Sequence, residues 1–276
     1  MVTGGNWLSA RTLVPLVIPP LYIAIVSLVE RRWGPSWSGR MTAIPTQTTT
    51  VILLVALVDG IDPAAAVSGG AILGVISLSS FAIVYGLASN RYGWLPSVAL
   101  AVTAFLLSGL LMLYVHGPDV LDAIVAVGIV LGVAYGLRRI RSPLHEGRRA
   151  AIGLPVRMGL ATALVLFVAL SVPLFGPVAA GTLGVFPIIT APMTVLNHRE
   201  SGPGASRRYL EGLEWGLIGG VVFFLVLSSL LASRGLGVAF LVGVPLLVAT
   251  LAACFILPHR FLAEPEHGEP RAEPGS

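Results

Sequence analysis

The chain has 276 residues, of which 55% are hydrophobic and only 11% charged. A water-soluble domain carries about 25% charged residues, so this composition excludes a soluble globular domain, a disordered chain and a collagen-like one. It predicts an all-α, polytopic helical membrane protein. The net charge of +4 comes from 17 arginines and no lysine. They fall between apolar runs and form no basic face, which excludes nucleic acid as a partner and leaves the orienting role of loop arginines.

A helix needs ~20 mostly apolar residues to cross a bilayer. Nine runs fit, at roughly 12–29, 42–58, 63–88, 94–115, 119–137, 155–175, 179–197, 208–232 and 236–257. The first is preceded only by Arg11 and followed by Glu30, Arg31 and Arg32. A cleavable signal peptide carries its charge before the apolar core, so this run is expected to stay in the protein, kinked at Pro19-Pro20. The tail beyond Leu262 is rich in Pro, Glu and Gly, and is expected to be disordered because it cannot bury enough surface to fold alone.

With nine crossings, 15 arginines collect on one side and two, Arg11 and Arg234, on the other. The positive-inside rule then places the protein in the inner (cytoplasmic) membrane, N-terminus outside and C-terminus in the cytoplasm. If the polar second and seventh runs were re-entrant loops, the arginines would divide about 9 to 8, and that rule would have nothing to act on.

An ungapped internal repeat runs through the chain in the register that takes Gly34 to Gly176. It pairs Gly34-Pro35 with Gly176-Pro177, Pro45 with Pro187, Thr48 with Thr190, Gly60 with Gly202, Gly70 with Gly212 and Gly74 with Gly216. Spans one to four map onto spans six to nine, and the fifth carries the chain across once more. The second unit therefore enters from the opposite face, a 4+1+4 inverted-topology repeat of the kind found in secondary transporters. The charges agree, because unit one has Arg31, Arg32 and Arg40 between its first and second spans, where unit two has none. Unit two has Arg199, Arg207 and Arg208 between its second and third spans, where unit one has Asp59 and Asp62. The expected organisation is unit one over 1–116, a linking span over 117–137, unit two over 138–258 and a cytoplasmic tail over 259–276.

The run GTLGVFPIITAPMTVLNHRESG, 181–202, has a Gly-x-x-x-x-Phe-Pro stretch, an apolar segment and a histidine near its end. It resembles the small bacterial GlpM-like membrane proteins through Gly181, Phe186, Pro187 and His198. Unit one, with Ile44-Pro45 and no histidine, departs further. The resemblance covers one motif per unit. It implies two fused membrane modules and carries no substrate with it.

The strongest candidate site is the pair of proline-broken segments, Pro45-Thr46-Gln47-Thr48 and Pro187-Ile188-Ile189-Thr190. Proline removes a backbone donor and frees a carbonyl one turn earlier. Freed groups are tolerated in a membrane only where protein or water satisfies them. Pro45, Gln47, Thr48, Pro187 and Thr190 are the expected substrate-binding residues. Threonines can also simply bond the carbonyl four residues back and bend the helix. Glu214, on span eight beside Glu211, is the candidate proton carrier, because intramembrane carboxylates mark proton paths. Asp119 and Asp62-Pro63 read as helix starts, Gly70/Gly74 and Gly212/Gly216 as packing stripes, and Asn197-His198 as an interfacial helix end.

Five scattered histidines and a single Cys254 give no metal-ligand spacing and no disulfide. No nucleophile motif or phosphate loop is present, so the protein is expected to be neither an enzyme nor a cofactor carrier. The leading reading is a permease-like transporter of a small solute with its site between spans two and seven. The alternative is a structural or assembly factor for a partner envelope system, and a lipid-handling protein comes third. The expected partners are the lipid bilayer and the solute, with a homo-oligomer left open.

Overall fold

The computed structural model of the chain describes residues 32–140 and 176–261, together with positions 21, 25, 26, 28 and 29. Its elements are α1 (Pro35–Thr42), α2 (Thr46–Val58), α3 (Ile61–Ala88), α4 (Trp94–Val115), α5 (Asp119–Arg139), α6 (Pro177–Gly184), α7 (Thr190–Ser201) and α8 (Pro203–Phe261). Among the described residues every regular element is a helix. Five stretches are long and apolar enough to cross a membrane: Pro35–Val58, Ile61–Ala88, Trp94–Val115, Asp119–Arg139 and Pro203–Phe255. The 53 residues of the last would measure about 80 Å as one straight helix, more than twice the ~30 Å hydrocarbon core. Gly235, at φ 77° and ψ 174°, divides it into two limbs. The outward faces of α4, α5 and the second limb are apolar, with Leu107, Leu110, Ile124 and Leu241 all more than 60% exposed. Such surface is unusual for a soluble monomer and suits an integral membrane protein.

Several sequence expectations need correction. Span two starts earlier than residue 42, because Gly34 at φ 86° followed by Pro35 at the first helical position opens α1. Span seven likewise opens at Gly176, φ 79°, and Pro177. Neither is one continuous helix. The first is broken between Thr42 and Thr46, the second between Gly184 and Thr190, because Pro45 and Pro187 lack the N–H that would carry the ladder on. Arg40 is not in a loop: it belongs to α1, is 6% exposed, and lies over the rings of Trp37 and Phe255 at 5.6 and 5.3 Å, a favourable cation–π arrangement. Gly60, not Asp62, caps α3. Pro118 caps α5, and Asp122 rather than Asp119 accepts the Gly117 N–H, at 3.2 Å. Helix α8 runs on past residue 258 to Phe261. Most of the first span, all of the sixth (155–175) and the tail from 262 lie outside the described residues.

The core is α3 against the first limb of α8. Ser79 meets Glu214 at 2.8 Å, and Tyr85, further along α3, lies against Ser206, earlier in α8. Rising number on one helix meets falling number on the other, so the two run antiparallel. The short helices α1 and α6 lie on this pair at backbone contact distance. A Cβ on Gly39 would overlap the Tyr209 carbonyl, and one on Gly181 would overlap the Val67 carbonyl. Gly212 is pressed in the same way against the Ser36 carbonyl, and Gly70 against that of Val178. A Cβ on Gly74 would sit 2.8 Å from the Thr182 carbonyl, and one on Gly216 2.8 Å from that of Arg40. Each of these three couples is a single contact made twice, with both partners moved together in the register of the sequence repeat. The sequence stripes Gly70/Gly74 and Gly212/Gly216 are therefore docking grooves for α6 and α1.

Overpacking costs about 1–3 kcal/mol. Gly39→Ala and Gly181→Ala should each lower the thermal midpoint in mild detergent by several degrees. Gly128→Ala, where a Cβ meets nothing within 4 Å, should leave it unchanged. Equal midpoints for all three variants would contradict the backbone contact.

Candidate functional site

Both breaks are closed locally by backbone turns. The Thr46 N–H donates to the Ile44 carbonyl at 2.8 Å, and the Ile188 N–H to the Phe186 carbonyl at 2.6 Å. Beyond the first break the threonines divide by direction. Thr49 and Thr50 donate to carbonyls four residues back, Pro45 and Thr46, at 2.5 and 2.8 Å. They are taken up by their own helix. Thr48 points the other way and donates to the Gly184 carbonyl at 2.9 Å. That bond joins the start of α2 to the end of α6, and so holds the two breaks face to face.

Between the breaks lies a cavity of about 60 Å³. One wall is residues 42–48, and the facing wall is Gly184, Val185, Phe186, Ile189 and Thr190. Val75 and Leu78 of α3, with Leu217, Gly220 and Phe224 of α8, close it. The lining pairs in the repeat register: Thr42 with Gly184, Ala43 with Val185, Ile44 with Phe186, Gln47 with Ile189, Thr48 with Thr190, Val75 with Leu217, and Leu78 with Gly220. The cavity thus sits between elements whose lining residues fall in that register. Its one strong polar departure from that pairing is the Gln47 amide opposite Ile189.

Four of the expected site residues, Pro45, Gln47, Thr48 and Thr190, line this cavity. Pro187 does not: it is buried, and Phe186 and Ile189 on either side of it supply the wall. Glu214 is not on the wall either. It is fully buried one turn before Leu217, with one carboxylate oxygen accepting from Ser79 at 2.8 Å and the other without a partner among the described residues. Glu211, by contrast, faces the arginines at 138, 40, 207 and 208. Asn197 bonds the Met193 carbonyl of its own helix at 2.9 Å, and His198 Nδ1, 3.1 Å from the Tyr85 hydroxyl of α3, ties the end of α7 to the core.

Sequence reasoning missed Ser79 and the apolar closure by Val75, Leu78, Leu217 and Phe224. Ser79 is one of several serines on an apolar helix, and nothing in the sequence marks it as the partner of a carboxylate 135 residues away. Only the repeat register, which pairs Val75 with Leu217, pointed toward the closing residues.

No protein family, curated protein or solved structure matches this chain. The chemistry of the site therefore has to be read from its own groups. Among the described residues no cluster of His, Cys, Asp or Glu is arranged to hold a metal ion. The wall is polar at the amide, hydroxyls and turn backbone, apolar elsewhere, and free of ionisable side chains. That suits reversible holding of a small solute by hydrogen bonds.

Removing the Thr48 hydroxyl leaves the Gly184 carbonyl without its donor, at a cost of about 1–3 kcal/mol. Thr48→Val should therefore lower the melting temperature clearly, whereas Thr190→Val, which breaks no such bond, should melt close to wild type. Thermal melting of both variants in the same detergent decides the matter; the reverse order would remove Thr48 as the link between the breaks.

Proposed function

We propose that this protein is a non-enzymatic, permease-like transporter that moves a small solute through the cavity between its two broken helices. The single observation that carries the reading is the pair of proline breaks, set face to face on a cavity whose two walls correspond in the repeat register. Discontinuous helices meeting between related halves are the usual construction of a midplane site in alternating-access carriers. The matched glycine contacts and the antiparallel pair α3 and α8 support a repeat of inverted topology, with nine crossings once the broken α6–α7 segment and the first and sixth spans are counted with the five long stretches, the last of them divided at Gly235. The resemblance to GlpM-like modules fits two fused copies of such a unit. In this reading Pro45, Gln47, Thr48 and Thr190 form the solute site, Pro187 shapes it from behind, and Glu214 carries a proton from a position one turn off the wall. The protein lies in the inner membrane with its N-terminus outside.

Purified full-length protein in liposomes should move a solute faster than empty liposomes, and Gln47→Ala and Thr190→Val should each slow it about ten-fold, the effect of losing a hydrogen bond that matters in transit. Glu214→Gln should abolish uptake driven by a pH gradient while the protein still melts near the wild-type temperature. Unchanged flux in both cavity variants would remove this site. Co-purification of a stoichiometric protein partner with no solute flux would favour the assembly-factor reading instead. For topology, a reporter fused after Pro118 should report the outside; cytoplasmic activity there would overturn the orientation and the nine-crossing count together.

A further inference from the structure

The residues that line the cavity carry unmet hydrogen-bonding groups of both kinds. The turns use some carbonyls, those of Ile44 and Phe186 accepting from Thr46 and Ile188, and that of Gly184 from the Thr48 hydroxyl. The carbonyls of Thr42, Ala43 and Val185 have no donor among the described residues. At the starts of α2 and α7 the N–H groups of Thr46, Thr49, Ala191 and Met193 are bonded, and Pro192 has none. Those of Gln47, Thr48 and Thr190 have no acceptor among the described residues. Ala43 corresponds to Val185 and Thr48 to Thr190 in the repeat register. Each wall therefore carries an unmet carbonyl and an unmet N–H at matching positions.

The side chains add the same mixture. Gln47 Nε2 is buried without a partner among the described residues, and Oε1 has no donor among them either. A carboxamide holds its donor and its acceptor side by side in one plane. Thr190 is only 4% exposed and lines the cavity, and its hydroxyl has no hydrogen bond among the described residues.

An ion gains little from such a wall. No ionisable side chain lines it, and unmet donors are matched by unmet acceptors, so a charge of either sign would be buried without its opposite, at high cost. A neutral solute that brings both donors and acceptors can satisfy both kinds of group. The volume of about 60 Å³ is room for roughly four waters, which limits the solute to a few heavy atoms. The planar edge of Gln47 is best matched by a second carboxamide edge, which gives an N–H to Oε1 and accepts from Nε2 in two parallel bonds.

We infer that the solute is a small neutral primary amide, of the size of urea, held edge to edge by Gln47, with Thr190 and the unmet backbone groups of the two breaks taking its remaining donors and acceptor. This rests on the transporter reading and names its substrate class.

The test is uptake of isotope-labelled urea, guanidinium and nitrate into liposomes containing the full-length protein, with the potential held at zero by potassium and valinomycin. The three solutes are planar, share one shape and differ in charge. Ethylene glycol is a neutral control of similar size with hydroxyls in place of the amide. Urea should enter well above empty liposomes, and the other three at least ~10-fold more slowly through the protein. Gln47→Leu should slow urea about ten-fold, the effect of losing its hydrogen-bonded pair, while melting at or above the wild-type temperature, because it removes an unmet buried polar group. Thr190→Val should slow urea about as much, and Thr190→Ser should restore the rate to within about two-fold, because it keeps the hydroxyl. If Gln47→Leu does not fold, the Thr190→Val and Thr190→Ser pair decides. Guanidinium, nitrate or ethylene glycol entering as fast as urea, or without it, overturns the amide assignment and leaves transport standing. No uptake of any of these solutes overturns the transport reading and this inference with it. Equal urea rates in Gln47→Leu and wild type overturn the edge-to-edge site.

Discussion

The architecture depends on bare backbone meeting backbone. Gly39, Gly70, Gly181 and Gly212 each lie so close to a facing carbonyl that a Cβ would overlap it. In hydrocarbon there is no hydrophobic force between helices, so association relies on close packing and short-range polar contact. Small residues let α1 and α6 sink into the antiparallel pair of α3 and α8. Once these short helices are seated, the breaks that follow them line one cavity from facing sides.

That seating also explains why the breaks are tolerable. A proline in a membrane helix leaves polar backbone that must find partners. Here each break makes its own compact turn, at Ile44–Thr46 and Phe186–Ile188, and Thr48 spans from one break to the other. The Ile44, Phe186 and Gly184 carbonyls are thereby satisfied from within.

The proposed proton carrier stands apart from this wall. Glu214 is fully buried with Ser79 as its one hydrogen-bond donor among the described residues, one turn from Leu217 on the cavity. Arg40 and Glu211 belong to a different region, where the guanidinium rests on Trp37 and Phe255 and the carboxylate faces a group of arginines. That separation of charge from the cavity keeps the site itself neutral.

Composition and periodic spacing were enough to determine that the chain is helical and apolar and where prolines interrupt its helices. These are local or purely sequential properties, because helix formation and proline's missing N–H act within a few residues. The sequence put Pro45, Gln47, Thr48 and Thr190 in one expected site and favoured Thr48 over Thr50, but it did not say where the hydroxyls of Thr48, Thr49 and Thr50 go. Only the fold separated them, because a rotation of about 100° per residue turns Thr48 toward α6 and leaves Thr49 and Thr50 against their own helix. The same holds for Pro187, which the fold set behind the wall, and for Glu214, whose partner lies 135 residues away. Which polar group is satisfied and which remains free is decided by neighbours that the chain brings together from far apart, and a linear sequence does not state those neighbours.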